Sequence, residues 1–163
     1  MSWRRAVTVL IYMTGFGIGC NNTDDESWSL DQRSYTLGGI GSFAEMVDAG
    51  VKQLALSAPL PPAEMDLLVE HARRVAADHN VEIYRETDFL VTDLFSADLT
   101  EGNDVLLIYN GTTKQEYMAL KAAQQALIES GAYEGDARRQ IAVRFGHMLS
   151  YSDEKIDALL SGR

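Results

Sequence analysis

The stretch from Val51 to Glu86 constrains the fold more than any other part of the chain. Residues 51–57 and 81–85 have the composition of strands, and a proline-marked break and a helical segment lie between them. Apolar residues recur at helical spacing in that segment: Met65, Leu68, Val69, Ala72, Val75 and Ala76. One face of this helix must therefore pack on a sheet. Two strands joined by one helix lie parallel with a right-handed crossover, so the stretch predicts a parallel strand–helix–strand unit.

The second half of the chain extends this unit. Residues 104–109 have the most strongly apolar strand sequence, and a glycine turn and a long helix over 114–129 follow them. Two more helices come next, the first capped by Asp136 and the second by Ser152. The sequence predicts a single α/β domain with a mainly parallel sheet of about four strands, helices on both faces and a helical C-terminal extension.

Residues 1–37 are predicted to form an N-terminal strand followed by a polar loop, and residues 38–163 the α/β domain. The strand is assigned to Ala6–Met13, which is uncharged and rich in Val, Ile, Leu and Tyr. A short helix is expected from Phe43 to about Ala49, because Ser42 and Glu45 have the spacing of a capping box.

The same N-terminal residues allow another interpretation. Arg4 and Arg5 precede an uncharged run that ends at Cys20, and a polar segment follows. This arrangement resembles a bacterial lipoprotein signal, in which case residues 1–19 would be removed and residues 20–37 would form a tether from a lipid anchor at Cys20. Gly17 stands where that pattern has a leucine-like residue. The resemblance implies a periplasmic location, whereas the folded strand implies a cytoplasmic one. Neither interpretation includes a transmembrane span.

Composition excludes several classes of function. The 163 residues include 14 basic and 24 acidic side chains, giving a net charge of −10. Because nucleic-acid-binding proteins carry a basic face, nucleic acid is not an expected partner. A single cysteine excludes an internal disulfide and cysteine-rich metal sites, and no metal is expected. No cofactor is predicted either, because the glycine run from Gly15 to Gly19 lacks the third glycine and the following helix of a dinucleotide-binding motif.

Ligands of parallel α/β sheets bind beyond the carboxyl ends of the strands. Polar residues follow three predicted strands at those ends: Ser57, Arg85, Glu86, Asp88, Tyr109, Asn110, Thr112 and Lys114. If the strands are parallel, these side chains converge on one rim. We therefore expect the functional site there.

Each group on this rim has a possible role in binding or acid–base chemistry. Arg85 is the candidate anion clamp, and Asp88 or Glu86 the candidate proton-transfer group. The backbone amides near Thr112, together with Lys114, are suited to holding a carboxylate or phosphate. An ion-pair cluster at the protein surface explains the Arg85–Asp88 segment equally well.

Two classes of function remain open from the sequence. The first is a cytoplasmic protein that binds a small anionic metabolite, with enzymatic acid–base chemistry as one version and Cys20 as a second candidate nucleophile. The alternative is a non-catalytic binding or assembly module, which the lipid anchor would tether to a membrane. A homodimer through the C-terminal helices is compatible with both, and Met148, Tyr151 and Leu160 are its candidate contacts.

Overall fold

The computed structural model describes residues 31–95, 98 and 100–162. Within these residues there are five helices and three strands: α1 (Gln32–Asp48), β1 (Leu54–Leu56), α2 (Pro62–Ala77), β2 (Glu82–Glu86), β3 (Val105–Tyr109), α3 (Thr113–Glu129), α4 (Gly135–Met148) and α5 (Asp153–Ser161). The predicted strand Ala6–Met13 and the alternative signal with its cleavage site lie outside the described residues. The division of the chain at residue 37 therefore stays a prediction.

The prediction of a mainly parallel sheet is wrong. The three strands form one antiparallel sheet in the order β1-β3-β2. Leu54 lies opposite Tyr109 on one side of β3, and Glu86 lies opposite Val105 on the other. The two outer strands do run in the same direction, as expected for strands joined by α2, but β3 lies between them and runs against both. A central strand is apolar along its whole length in either kind of sheet, so its sequence could not reveal its direction.

Helices cover both faces of this sheet. Side chains of β3 alternate between the faces, with Leu106 and Ile108 on one and Leu107 and Tyr109 on the other. Helices α1 and α2 pack on the first face through residues that are almost completely buried: Ile40, Ala44, Val47, Met65, Leu68, Val69, Ala72 and Ala76. Helices α3, α4 and α5 pack on the second face. β3 is buried along its entire length and forms the centre of the molecule.

Helix α1 is longer than the sequence predicts. It begins after Asp31, whose carboxylate accepts hydrogen bonds from the backbone N–H groups of Arg33 and Ser34, both at 3.3 Å. Ser42, the expected cap, lies inside the helix and donates to the carbonyl oxygen of Gly38 at 3.1 Å. The three glycines of α1 lower its intrinsic helix propensity, and packing against α2 outweighs that cost. Local sequence signals therefore misplaced the start of this helix.

An aromatic group lies at the centre of the second face. The ring of Phe145 on α4 lies 5.7 Å from Phe89, 6.1 Å from Phe95 and 6.0 Å from Tyr117, measured between centroids. Tilted and edge-on pairs of this kind stabilise a core beyond their buried area. The segment after β2 is thereby packed against the C-terminal helices.

The residues predicted to contact a second copy belong to this same core. Met148 is buried, and Tyr151 and Leu160 pack against the cluster around Phe145. Helices α4 and α5 thus cover the sheet within one chain.

Gly146 permits the close approach of α5 to α4. A Cβ atom at this position would lie 2.7 Å from Cγ1 of Ile156, whose side chain is buried. Gly146→Ala should lower the free energy of unfolding by about 1 kcal/mol, because overpacking costs about 1–3 kcal/mol and exceeds the gain in helix propensity. Chemical denaturation of the purified protein measures this change.

Gly39→Ala is the matched control, since a Cβ atom at Gly39 in α1 would have no neighbour within 4 Å. This variant should gain up to about 1 kcal/mol from helix propensity. A stabilised Gly146→Ala protein would contradict the close packing of α5 on α4.

Candidate functional site

The antiparallel sheet divides the predicted rim between two ends of the molecule. Ser57 and residues 85–88 lie at the carboxyl ends of β1 and β2, at one end of the sheet, whereas residues 109–114 lie at the carboxyl end of β3, at the other. The register places Glu82, at the start of β2, opposite Tyr109 at the end of β3. The structure therefore does not bring the candidate residues together in a single pocket.

Ser57 extends the pairing of β1 with β3. Its backbone N–H donates to the carbonyl oxygen of Leu106 at 3.0 Å, and its hydroxyl oxygen accepts from the backbone N–H of Leu106 at 2.9 Å. The hydroxyl group also donates to the carbonyl oxygen of Ala58 at 2.9 Å. With its hydrogen-bonding capacity used by the backbone, Ser57 has a structural role.

Arg85 connects three parts of the chain. Its Nε atom donates to Oδ2 of the buried Asp104 at 2.6 Å, and its Nη1 atom donates to Oδ1 of Asp66 at 2.5 Å. A third bond at 3.1 Å reaches the carbonyl oxygen of Pro62, in the first turn of α2. The bonds to Asp66 and Asp104 raise the pKa of Arg85 above its ordinary value. Because two carboxylates already neutralise the guanidinium, Arg85 is poorly placed to clamp an external anion.

Glu86 is a buried carboxylate that faces α3. Its Oε1 atom accepts from Lys121 Nζ at 3.1 Å and from the backbone N–H of Asp88 at 2.9 Å. Lys121 also pairs with Oδ2 of the exposed Asp88 at 2.9 Å. Oε2 of Glu86 has no hydrogen-bond partner among the described atoms.

Tyr117 lies beside this carboxylate. Its hydroxyl oxygen accepts from the backbone N–H of Leu90 at 2.9 Å. Burial raises the pKa of Tyr117, and the nearby charge of Glu86 raises it further. Together with Lys121, these bonds hold the segment after β2 against α3, which is a sufficient structural reason for both Glu86 and Asp88.

The residues at the opposite end are paired with one another. The hydroxyl group of Tyr109 donates to Glu82 Oε2 at 3.2 Å, and burial, followed by the charge of Glu82, raises the pKa of Tyr109 to about 12. Lys114 Nζ lies 4.1 Å from the ring centroid of Tyr84.

Asn110 and Thr112 complete this end of the molecule. The amide of Asn110, in its favoured orientation, donates to the carbonyl oxygen of Asn80 at 2.9 Å. The hydroxyl group of Thr112 donates to Glu116 Oε1 at 2.9 Å, and Gln53 donates to the other oxygen of that carboxylate at 2.9 Å. Glu116 places a negative charge where the predicted anion would bind, which disfavours an anion at the start of α3.

A groove of about 260 Å³ runs along the outer side of β1. Ala55 and Leu56 of β1, Ser57 after them and Val105 of β3 line it. Its walls come from both helical layers and from the segment after β2: Phe43, Phe89, Phe95, Thr100, Leu149 and Tyr151. The groove is therefore a mainly apolar slot at an edge of the sheet, with residues of one helical layer on each side.

The main chain of β1 presents hydrogen-bonding groups to this groove. Since the N–H of Ser57 points to β3, the alternation of an antiparallel pair turns the N–H and C=O groups of Leu54 and Leu56 outward. No hydrogen bond from a described residue outside the sheet reaches these outward groups. Within the part of the chain that the structure describes, β1 is thus a free sheet edge.

Lys52 lies at one end of the groove. Its Nζ atom donates to the carbonyl oxygen of Leu149 at 2.9 Å and lies 5.5 Å from the ring centroid of Tyr151. Burial lowers the pKa of Lys52 below the ordinary lysine value. Across residues 31–95, 98 and 100–162, no carboxylate pairs with this ammonium group. It is therefore the cation best placed to meet an anionic group entering the groove.

The groove was hard to infer from the sequence, because its residues come from five separate segments of the chain: residue 43 and residues 52–59, 89–95, 100–105 and 149–151. A free sheet edge can be predicted only when the strand order is known, and the apolar pattern of the strands does not determine that order. The available signal was Lys52 itself, a basic residue two positions before the apolar strand Leu54–Leu56.

Neither a metal site nor a membrane span is found in the described part of the molecule. No group of three or more His, Cys, Asp and Glu side chains is arranged there to hold a metal ion. None of the described helices combines the length and apolarity needed to cross a bilayer. Comparisons of the chain with protein-family models, with curated proteins and with solved structures gave no match.

Removing Lys121 tests the structural role of Glu86. Lys121→Met should lower the free energy of unfolding by about 2–3 kcal/mol, because it leaves a buried carboxylate without its counter-charge. The expected cost is at the low end for a buried pair, since the Lys121 side chain is 24% exposed. Urea denaturation at neutral pH measures the effect.

Arg73→Met provides the comparison, because Arg73 and its partner Glu70 are both largely exposed. That variant should change stability by less than about 1 kcal/mol. Equal effects of the two substitutions would show that the Glu86–Lys121 pair does not stabilise the fold in the way described.

Proposed function

We propose that this protein is a non-catalytic binding module that accepts an extended polypeptide segment along the outer edge of β1. The observation that supports this proposal is the groove itself, which follows the outer edge of β1, an edge that no strand among residues 31–95, 98 and 100–162 pairs with, between two layers of helices. A strand placed there would continue the sheet and be covered on both faces. Addition of a strand to a sheet edge is a common mode of peptide recognition.

Two kinds of contact would stabilise such a complex. The outward N–H and C=O groups of Leu54 and Leu56 supply the main-chain hydrogen bonds. The apolar walls, including Phe43 and Tyr151, would bury side chains on alternate sides of the added strand. Burial of one large apolar side chain contributes about 1.5–3 kcal/mol, so a few such residues suffice for specific binding. The ligand should accordingly be apolar on both faces.

The two outer edges of the sheet differ in a way that favours β1. Soluble proteins usually protect a sheet edge with charged side chains, prolines or covering elements. β2 carries Glu82 and Arg85, and Arg85 ties it to Asp66 and Asp104. The three residues of β1 are Leu, Ala and Leu, with no charge among them. The apolar edge is thus the one suited to receive a strand.

An enzymatic function has less support. The candidate acid–base groups Glu86 and Asp88 are paired with Lys121, and neither lines the groove. Arg85 is occupied by two carboxylates. For the form of the protein that keeps residues 1–19, the proposal includes a cytoplasmic location.

A small apolar molecule with a carboxylate is the second candidate ligand. Lys52 favours it, because the ammonium group lies at the end of an apolar groove without a carboxylate partner among the described residues. The acyl portion would fill the groove, and its anionic end would meet Lys52. This candidate retains the anionic ligand expected from the sequence but places it at a different site.

Leu56→Pro tests strand addition, with a labelled octapeptide of valine and isoleucine flanked by lysines as the probe. Proline removes the outward N–H group and leaves the bonds between β1 and β3 in place. In a full-length protein that also carries Val9→Pro, so that residues 6–13 of the chain do not compete for the edge, binding measured by fluorescence anisotropy should weaken about tenfold or more, because an unsatisfied peptide carbonyl costs about 1–3 kcal/mol.

Leu56→Ala is the matched control, since it removes the same side chain but keeps the N–H group. It should bind the peptide more tightly than Leu56→Pro does, and circular dichroism should show that both variants are folded. Equal binding by the two variants in this background, or no binding by the Val9→Pro protein itself, would contradict recognition by strand addition.

Lys52→Met tests the second candidate with octanoate and octanol as probes. If the small anion is the ligand, octanoate should bind the wild-type protein about tenfold more tightly than the variant, as measured by calorimetry, whereas octanol should not distinguish them. Because burial lowers the pKa of Lys52, octanoate affinity should fall as pH rises through that lowered pKa and the ammonium group loses its charge. Indifference of octanoate to the substitution would exclude this role for Lys52.

A further inference from the structure

We infer that residues Ala6–Met13 of the same chain occupy the groove as a strand parallel to β1, and that an external peptide must displace them. The inference rests on the proposed function, and it identifies a competing ligand within the protein. This segment lies outside the described residues, and three features support its placement: its sequence, the connections of the described elements and the shape of the groove.

The composition of the segment matches the slot. A strand covered on both faces requires an almost continuous apolar sequence. Ala6–Met13 reads Ala-Val-Thr-Val-Leu-Ile-Tyr-Met, in which Thr8 is the single polar residue. Ala55 and Leu56 would lie beside it, and the walls would include Phe43 and Leu149.

The path of α1 sets the direction of the added strand. The first turns of α1, at Gln32 and Ser34, line one hollow together with Ser57 and Ala58, at the end of β1. At the other end of α1, the carbonyl oxygen of Met46 accepts from the N–H of Lys52 at 3.1 Å. Helix α1 therefore runs opposite to β1. A preceding strand that is parallel to β1 would end close to where α1 begins.

The topology also selects the edge. Helices α1 and α2 cover the same face, and the chain crosses that face from β1 to β2 through α2. If the added strand lies outside β1, the crossover through α1 runs across the sheet in the same direction as the crossover through α2. The two crossovers then have the same hand. A strand outside β2 would reverse it, and connections between parallel strands have one hand in about 98% of cases. The outer edge of β1 is the position consistent with this rule.

The connection is long enough for this arrangement. Residues 14–31 link the segment to α1, and a chain of this length spans up to about 60 Å when extended. Tethering through a linker that can span the two sites gives an effective concentration of up to about millimolar. The tethered segment would then compete strongly with a free peptide that binds at about ten micromolar.

Proline substitution within the segment tests this competition. The probe is a labelled peptide with the sequence of residues 6–13 and lysines at both ends, and anisotropy measures its binding to full-length proteins. Val9→Pro should bind the probe about 100-fold more tightly than the wild-type protein, because proline disrupts pairing of the tethered segment. Thr23→Pro, in the connection, is the matched control and should bind as the wild-type protein does.

Equal affinity of the wild-type and Val9→Pro proteins would overturn the inference and leave the proposed function intact. Absence of binding by all three proteins would contradict the proposed function as well. If the wild-type protein forms a dimer by sedimentation that Val9→Pro abolishes, the segment pairs with a second copy, and occupancy within one chain is overturned.

Discussion

The position of β3 determines most of this structure. It lies between β1 and β2, runs against both and is buried along its whole length. Each helical layer packs against the side chains that β3 presents to its face. Because β3 occupies the middle of the sheet, the two parallel strands joined by α2 become edges. One edge carries charged residues, and the other adjoins an apolar groove.

The sequence predicted local structure better than strand order. The helical spacing from Met65 to Ala76 located α2, and Ser152 caps α5 as expected, since its hydroxyl oxygen accepts from the N–H of Lys155 at 3.3 Å. The start of α1 was misplaced because glycines and a capping-box pattern suggested a later beginning. The direction of β3 could not be inferred, because burial on both faces gives an apolar strand whatever the direction of its neighbours.

The candidate site residues illustrate the same limit. Their positions at strand ends were identified, but convergence on one rim required a parallel sheet. In the antiparallel sheet, Arg85 connects β2 to α2 and to Asp104, whereas Glu86 connects β2 to α3. Their charges stabilise the fold. The groove arises from residues far apart in sequence, such as Phe43 and Tyr151, whose proximity depends on tertiary packing.

Hydrogen exchange at three consecutive amides tests the central claim that the outer edge of β1 accepts a strand. The amide of Ala55 points to β3, whereas those of Leu54 and Leu56 point outward. In the full-length protein with a saturating apolar peptide, the account predicts slow exchange at all three positions, because either the peptide or the tethered segment covers the edge. Slow exchange at Ala55 alone, with fast exchange at Leu54 and Leu56, would contradict it.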